Sequence, residues 1–164
     1  MNEINWPEQY LPGTTDNFAS NEVIVKNLDI NKVWALLADP FAWPTYYANS
    51  SDPKFKKDGD KELYLGCPFF FKTFGFPIDA EVTEYKAPKD GIARLAWHGW
   101  AEGDTNNRLD VIHAWLIEEL SGNRLRILTQ ESQIGRPAAD MAGTNTMIDG
   151  HQAWLNGLIN AVQK

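Results

Sequence analysis

The spacing of apolar residues changes character along the chain, and each change predicts a different element. Between Phe18 and Lys26 apolar and polar positions alternate around Val23, Ile24 and Val25, which predicts a first strand. Asn27-Leu28-Asp29 reads as a turn, with Asp29 placed to cap a helix over residues 30–38. Ile30, Val33, Trp34 and Leu37 share one helical stripe there. Asp39-Pro40 stops this helix, because proline disfavours helical geometry in the residue before it. Phe41, Trp43, Tyr46 and Tyr47 predict a second short helix, interrupted or restarted at Pro44.

From about residue 52 to 134 the period is that of strands and hairpins. The pattern predicts a short strand near 53–56, a longer one over 62–72, and a turn at Gly75-Phe76-Pro77. Over 78–85, Ile78, Ala80 and Val82 alternate with Asp79, Glu81 and Thr83, giving one dry and one wet face. Strands over 92–100, 109–120 and 124–134 follow, the last two joined by Ser121-Gly122-Asn123. A long helix over 138–162 ends the pattern, with Met141, Ile148, His151, Leu155, Leu158, Ile159 and Val162 at three- and four-residue steps. Gly143, Gly150 and Gly157 lie along one stripe of it, each costing up to about 1 kcal/mol against Ala, which predicts close packing on the sheet or on a ligand. Residues 1–17, rich in Pro, Gly, Asn and Thr, are expected to form an irregular arm on a single domain of residues 18–164. Trp6, Tyr10 and Leu11 are its anchors. Consecutive strands with a long amphipathic helix predict an α+β fold, an antiparallel sheet packed on that helix.

A three-residue loop at 121–123 sets Leu120 opposite Arg124 and His113 opposite Glu131; a two-residue turn would put Gln130 there instead. The first register is preferred because it matches Ile117 with Ile127, Glu118 with Arg126 and Trp115 with Thr129. Leu125, Ile127 and Thr129 then define the concave face, and Glu131 follows their parity inward. A carboxylate facing an apolar interior needs a partner or a shifted pKa, and His113 can supply the partner.

Composition narrows the function. Seven Trp, eight Phe and five Tyr supply apolar wall for a core or a pocket. A net charge of −7 with scattered Lys and Arg excludes a nucleic-acid footprint. Cys67 is the sole cysteine, so no intrachain disulfide and no Cys-rich zinc site is possible; beside Pro68 and a Phe triplet it reads as a buried filler. No apolar run approaches the roughly 18 residues of a membrane span, and no basic-then-apolar leader stands at the start; cytoplasm is the expectation. No Gly-x-Ser-x-Gly, phosphate-cradling loop, His-Glu-x-x-His or dinucleotide motif occurs, so no cofactor is expected. His98, His113 and His151 lie on two strands and a helix, and no metal site is expected from them.

The element order resembles the START/Bet v 1-like superfamily, also called SRPBCC. Asn21-Glu22-Val23-Ile24-Val25, Val33-Trp34-Ala35-Leu36-Leu37-Ala38-Asp39 and Trp43-Pro44 resemble its first strand and paired helices. Phe74-Gly75-Phe76-Pro77-Ile78 through Val82-Thr83-Glu84-Tyr85, then Leu95-Ala96-Trp97, are similar to its bacterial polyketide cyclase/dehydrase-like members. So are His113-Ala114-Trp115 and Thr129-Gln130-Glu131-Ser132-Gln133-Ile134-Gly135. The resemblance implies a helix-grip fold: a curved seven-stranded antiparallel sheet around the C-terminal helix, enclosing a deep cavity. It also implies carriers, aromatase/cyclases and interaction domains as the functional range.

Three expectations follow. The first is binding of a small hydrophobic or aromatic ligand between sheet and helix, with Phe71, Trp97, Trp115, Thr129, Met147 and Tyr46 as lining residues and Met141 and Tyr47 nearby. The second is a cyclase/dehydratase-type enzyme in which His113 and Glu131 move protons. The third is an interaction domain with no small ligand. His98 and Arg94 are expected to face outward, and His151 to be a hydrogen-bonded core residue.

Overall fold

Asp29 accepts the Asn31 amide at 2.8 Å and starts α1 (Ile30–Leu37), whose Ile30, Val33, Trp34 and Leu37 are all buried. The computed structural model describes residues 1–164. Pro44 sits in the first turn of α2 (Trp43–Tyr46), where its missing N–H is no loss, so it begins the helix instead of interrupting it. These two helices separate β1 (Asn17–Lys26) from β2 (Ser50–Phe55).

The remaining strands are β3 (Pro68–Thr73), β4 (Phe76–Lys89), β5 (Ile92–Ala101), β6 (Leu109–Leu120) and β7 (Arg124–Ile134). They form one curved, open antiparallel sheet in the order β1-β7-β6-β5-β4-β3-β2. Leu120 pairs with Arg124, so the 121–123 loop has three residues, and His113 pairs with Glu131 and Trp115 with Thr129. On β4, Ile78, Ala80 and Val82 are buried while Pro77, Glu81 and Thr83 are exposed.

Two predicted elements are shorter than their patterns. The strand expected over 62–72 begins only at Pro68. Leu63 leaves the strand path to fill the core, and Gly66 takes φ +85°, which closes a turn before Cys67. The long helix expected over 138–162 is two helices, α3 (Arg136–Met141) and α4 (Thr146–Gln163). Gly143 at φ +82° ends the first. The Thr144 hydroxyl donates to the Met141 carbonyl at 2.6 Å and accepts the Thr146 amide at 3.3 Å, bridging the break.

The glycine stripe has a different cause from the one its spacing suggests. A Cβ on Gly157 would lie 2.1 Å from the Tyr46 carbonyl oxygen, and one on Gly150 would lie 2.3 Å from the Phe74 ring. The close approaches are to α2 and to the β3–β4 turn, not to the sheet face.

Between sheet and α4 the interior is filled by aromatic rings. Trp43 stacks on Trp97 at 5.2 Å and meets Trp154 edge-on at 5.0 Å, while Tyr47 stacks on Trp154 at 4.7 Å. The Trp43 indole N–H finds the Leu37 carbonyl at 2.8 Å, which satisfies the polar atom of a fully buried ring. The deep hollow implied by the family resemblance is therefore occupied by side chains. On the convex face, residues 1–16 lie across the sheet with Ile4 buried among Ala96, Ala114, Leu116 and Leu128. Arg126 and Arg94 hold this arm through the Asn2 and Glu3 carbonyls at 3.0 and 2.8 Å.

Candidate functional site

One narrow cleft remains between α4 and the sheet, with a volume of about 20 Å3, enough for about one water molecule. Its rim is the half-buried Phe74, Phe76 and Met141, its walls include Phe71, Trp97 and Met147, and its floor is polar: His113, Glu131 and His151. The rim is set by turn geometry. Phe74 stands at φ +51° in the β3–β4 turn, its ring laid against Gly150, and its amide is held by the Asn49 side chain at 2.9 Å.

The floor comes from three elements. Odd-numbered residues of β6 and β7 face inward, bringing His113 and Glu131 together with Nδ1 and Oε1 3.1 Å apart. α4 buries Met147, His151, Trp154, Leu155 and Leu158 along one stripe, and this lays the His151 ring on the His113 ring, centroids 4.5 Å apart and planes 25° from parallel. All three polar residues are buried, and one ligand-capable atom from each lies within 4.8 Å of the others.

Hydrogen bonds fix the chemistry. The Thr129 hydroxyl donates its single proton to the Ala114 carbonyl at 3.2 Å, so its oxygen accepts from His113 Nε2 at 2.8 Å. His113 thus carries a proton on Nε2 and presents Nδ1 to Glu131. The second carboxylate oxygen of Glu131 accepts from the Gln133 amide, which also touches the Met147 sulfur at 3.7 Å. Burial alone would raise the Glu131 carboxyl, but the adjacent His113 ring and the Gln133 amide outweigh it and hold the group below its ordinary range. Burial pushes the His151 imidazole down to about 3, with His113 acting the same way and Glu131 opposing. His151 is therefore a neutral imidazole, and its buried Nδ1 has no hydrogen-bond partner.

Of the residues singled out from sequence, Phe71, Trp97, Met147, His113 and Glu131 surround this cleft, as does Met141. Three others do not. Trp115 and Thr129 lie deeper in the core, Thr129 acting on His113 from behind. Tyr46 turns between helices: its hydroxyl donates to the Leu36 carbonyl at 3.2 Å and accepts from the Trp154 indole at 3.4 Å. Tyr47 stacks on Trp154, its hydroxyl accepting from Asn49, and burial pushes it up to about 12. His98 sits outside with Asp110 at 3.0 Å. His151 is buried as expected but lacks the expected hydrogen bond. Sequence reasoning passed over Phe74, Gln133 and the union of His151 with the strand pair. The signal for the last was parity: an inward histidine and carboxylate facing a histidine on the helix's buried stripe.

No family model matches the chain, and no curated protein matches it. Among solved structures, protein CV1439 from Chromobacterium violaceum is 15% identical over 90% of this chain and 99% of that one, with a TM-score of 0.61. The di-domain ARO/CYC BexL is 13% identical over 87% of this chain and 45% of that one, with a TM-score of 0.55. At such identities the likeness is one of fold. The crystal structure of hypothetical protein jhp0584 from Helicobacter pylori differs in kind: 50% identity over 99% of this chain and 97% of that one, with a TM-score of 0.95. Half of all positions shared over the full length, on one backbone, place the chain in the same protein family as jhp0584 of Helicobacter pylori.

Proposed function

We propose that this protein is a START/Bet v 1-like member that binds a small, largely apolar or aromatic molecule bearing one polar group. The carrying observation is the cleft itself, apolar on its walls and ending in the buried His113–Glu131 pair. Ligand pockets combine apolar area with a few convergent polar groups that fix orientation. At about 20 Å3 the cleft is too small to admit such a molecule. Binding requires its rim to yield, and the rim is built for it: Phe74 rests on a glycine, and Met141 and Met147 are unbranched side chains that repack readily.

The experiment is native mass spectrometry of the protein purified from its source, followed by titration of the tryptophan emission, to which Trp97 and Trp154 at the cleft contribute, with the molecule released. A bound organic mass that returns on titration and alters the indole emission supports the reading. A bare polypeptide mass, with emission unmoved by a panel of fatty acids and polycyclic aromatics, overturns it.

A second reading is an enzyme of the cyclase/dehydratase type. It is favoured by one feature: His113 and Glu131 are in hydrogen-bonding reach and both open onto the cleft, which general acid–base chemistry requires.

A further inference from the structure

We propose that His113, Glu131 and His151 together hold one divalent transition-metal ion of the Zn2+ class, with a remaining coordination position facing the cleft. This does not depend on the small-molecule reading, since the metal needs only the floor of the cleft.

Four observations converge. First, the donor set is two imidazoles and a carboxylate from three different elements, all buried, with ligand-capable atoms within 4.8 Å of one another. Imidazole and carboxylate together suit zinc and its first-row neighbours. Bonds of about 2.0–2.1 Å in a tetrahedral site put neighbouring ligand atoms about 3.3 Å apart. His113 Nδ1 and Glu131 Oε1 already stand at 3.1 Å. His151 must close by no more than about 1.5 Å, the scale of a side-chain adjustment, to reach the same spacing.

Second, Thr129 fixes the His113 tautomer. Its proton is committed to the Ala114 carbonyl, so Nε2–H of His113 must point at it and Nδ1 must point at the carboxylate. A neutral histidine in that tautomer sets a lone pair against carboxylate oxygen. The clash is relieved by a second proton or by a cation between the two atoms. A hydroxyl that holds the distal ring nitrogen is also what metal-binding histidines recruit behind them. Gln133 holds the far oxygen of Glu131 in the same way.

Third, a proton shared by His113 and Glu131 does nothing for His151, whose Nδ1 stays buried and without a partner. Orphaned buried polar atoms are costly and uncommon. A metal ion bound through that nitrogen satisfies the pair and this orphan together. Fourth, the cleft above the trio has room for about one water. Three protein ligands with a water in the fourth position is the arrangement of zinc sites that polarise water or a substrate carbonyl.

The test uses the full chain, stripped with chelator and checked for folding by circular dichroism, then titrated with Zn2+ and Co2+ by calorimetry and native mass spectrometry. The expected result is one ion per chain. Glu131→Gln, nearly isosteric, and His151→Ala should each weaken binding by about 100-fold or more, since even supporting groups behind metal ligands are worth about 10–100-fold. Thr129→Val should lose about 10–100-fold by freeing the His113 ring. His98→Ala, on the outer face, should bind as the parent does. Failure of the stripped parent to take up an ion at unit stoichiometry overturns the proposal. So does unchanged affinity in folded Glu131→Gln and His151→Ala. An ion without an organic mass leaves this site standing and sinks the small-molecule reading; an organic mass without ion uptake does the reverse.

Discussion

Glu131 is 7% exposed and His113 2%, so the energetics of this pair are those of buried charge. Such pairs contribute less than their Coulomb energy suggests, because desolvation offsets it, yet breaking one leaves the other stranded. His113→Leu should therefore destabilise the fold by about 3–5 kcal/mol, with Glu131 left facing apolar walls. The double variant His113→Leu, Glu131→Leu should recover much of that loss. Urea unfolding of the two variants checks this, and a double variant as unstable as the single one would remove the pair from the account. The partnership of His113 and Glu131 was legible because cross-strand matching chose between two loop lengths: a three-residue loop sets Ile117 opposite Ile127 and Glu118 opposite Arg126, and His113 opposite Glu131 with them. His151 was legible as buried but not as their neighbour. Helical periodicity tells which face of α4 turns inward; it carries nothing about which strand residue that face meets.

At the scale of elements, periodicity overran its true ends. Met141 and Ile148 fit one helical stripe, so the turn between them was invisible to spacing, although Gly143 and Asn145 are the residue types that stop and start helices. The strand over 62–72 failed for the opposite reason: Leu63 and Tyr64 look like strand residues, but tertiary packing uses Leu63 as a core plug in a loop. Gly150 and Gly157 were correctly read as packing contacts, with the wrong partner, whereas Gly143 packs against nothing and ends α3. Gly157→Ala is the direct test. In an isolated helix this change would gain up to about 1 kcal/mol. Here the new methyl group would strike the Tyr46 carbonyl, so α4 and α2 must separate, and a net loss of about 1–3 kcal/mol is expected. Asn156→Ala, on the exposed face of the same helix, should be close to neutral. Thermal melts of both variants read the difference.

Across the whole molecule, aromatic enrichment had two meanings that composition alone could not separate: walls around a hollow, or the filling of it. The structure gives mostly filling, with Trp43, Trp97 and Trp154 in mutual contact and Trp115 against Trp154. The charge balance has its own consequence. The Arg108 guanidinium beside Asp110, aided by His98, holds that carboxyl below its ordinary range. Glu118 is also held low: burial opposes ionisation there, but Asn2 and Arg126 outweigh it. A carboxyl with a depressed folded pKa stabilises above its unfolded value, and that stability is lost as pH falls through the folded one. Unfolding free energy should thus hold from these groups above about pH 5 and fall below about pH 4. Asp110→Asn should make the acid decline shallower in urea midpoints taken down that range; an unaltered slope would show that the residue does not contribute.

In the strand order β1-β7-β6-β5-β4-β3-β2, every neighbour but one is also a neighbour in sequence. The exception joins Asn17–Lys26 to Arg124–Ile134. During synthesis β1 thus emerges ahead of the other six strands and is the last of them to find its mate, its backbone N–H and C=O groups on that side waiting until β7 has been made. Such long-range closure is slow, and an unmated edge is a template for foreign strands. Anything that delays β7 therefore offers β1 to another molecule, and a chaperone that shelters the nascent N-terminal segment would raise the yield of this fold more than one acting on its hairpins.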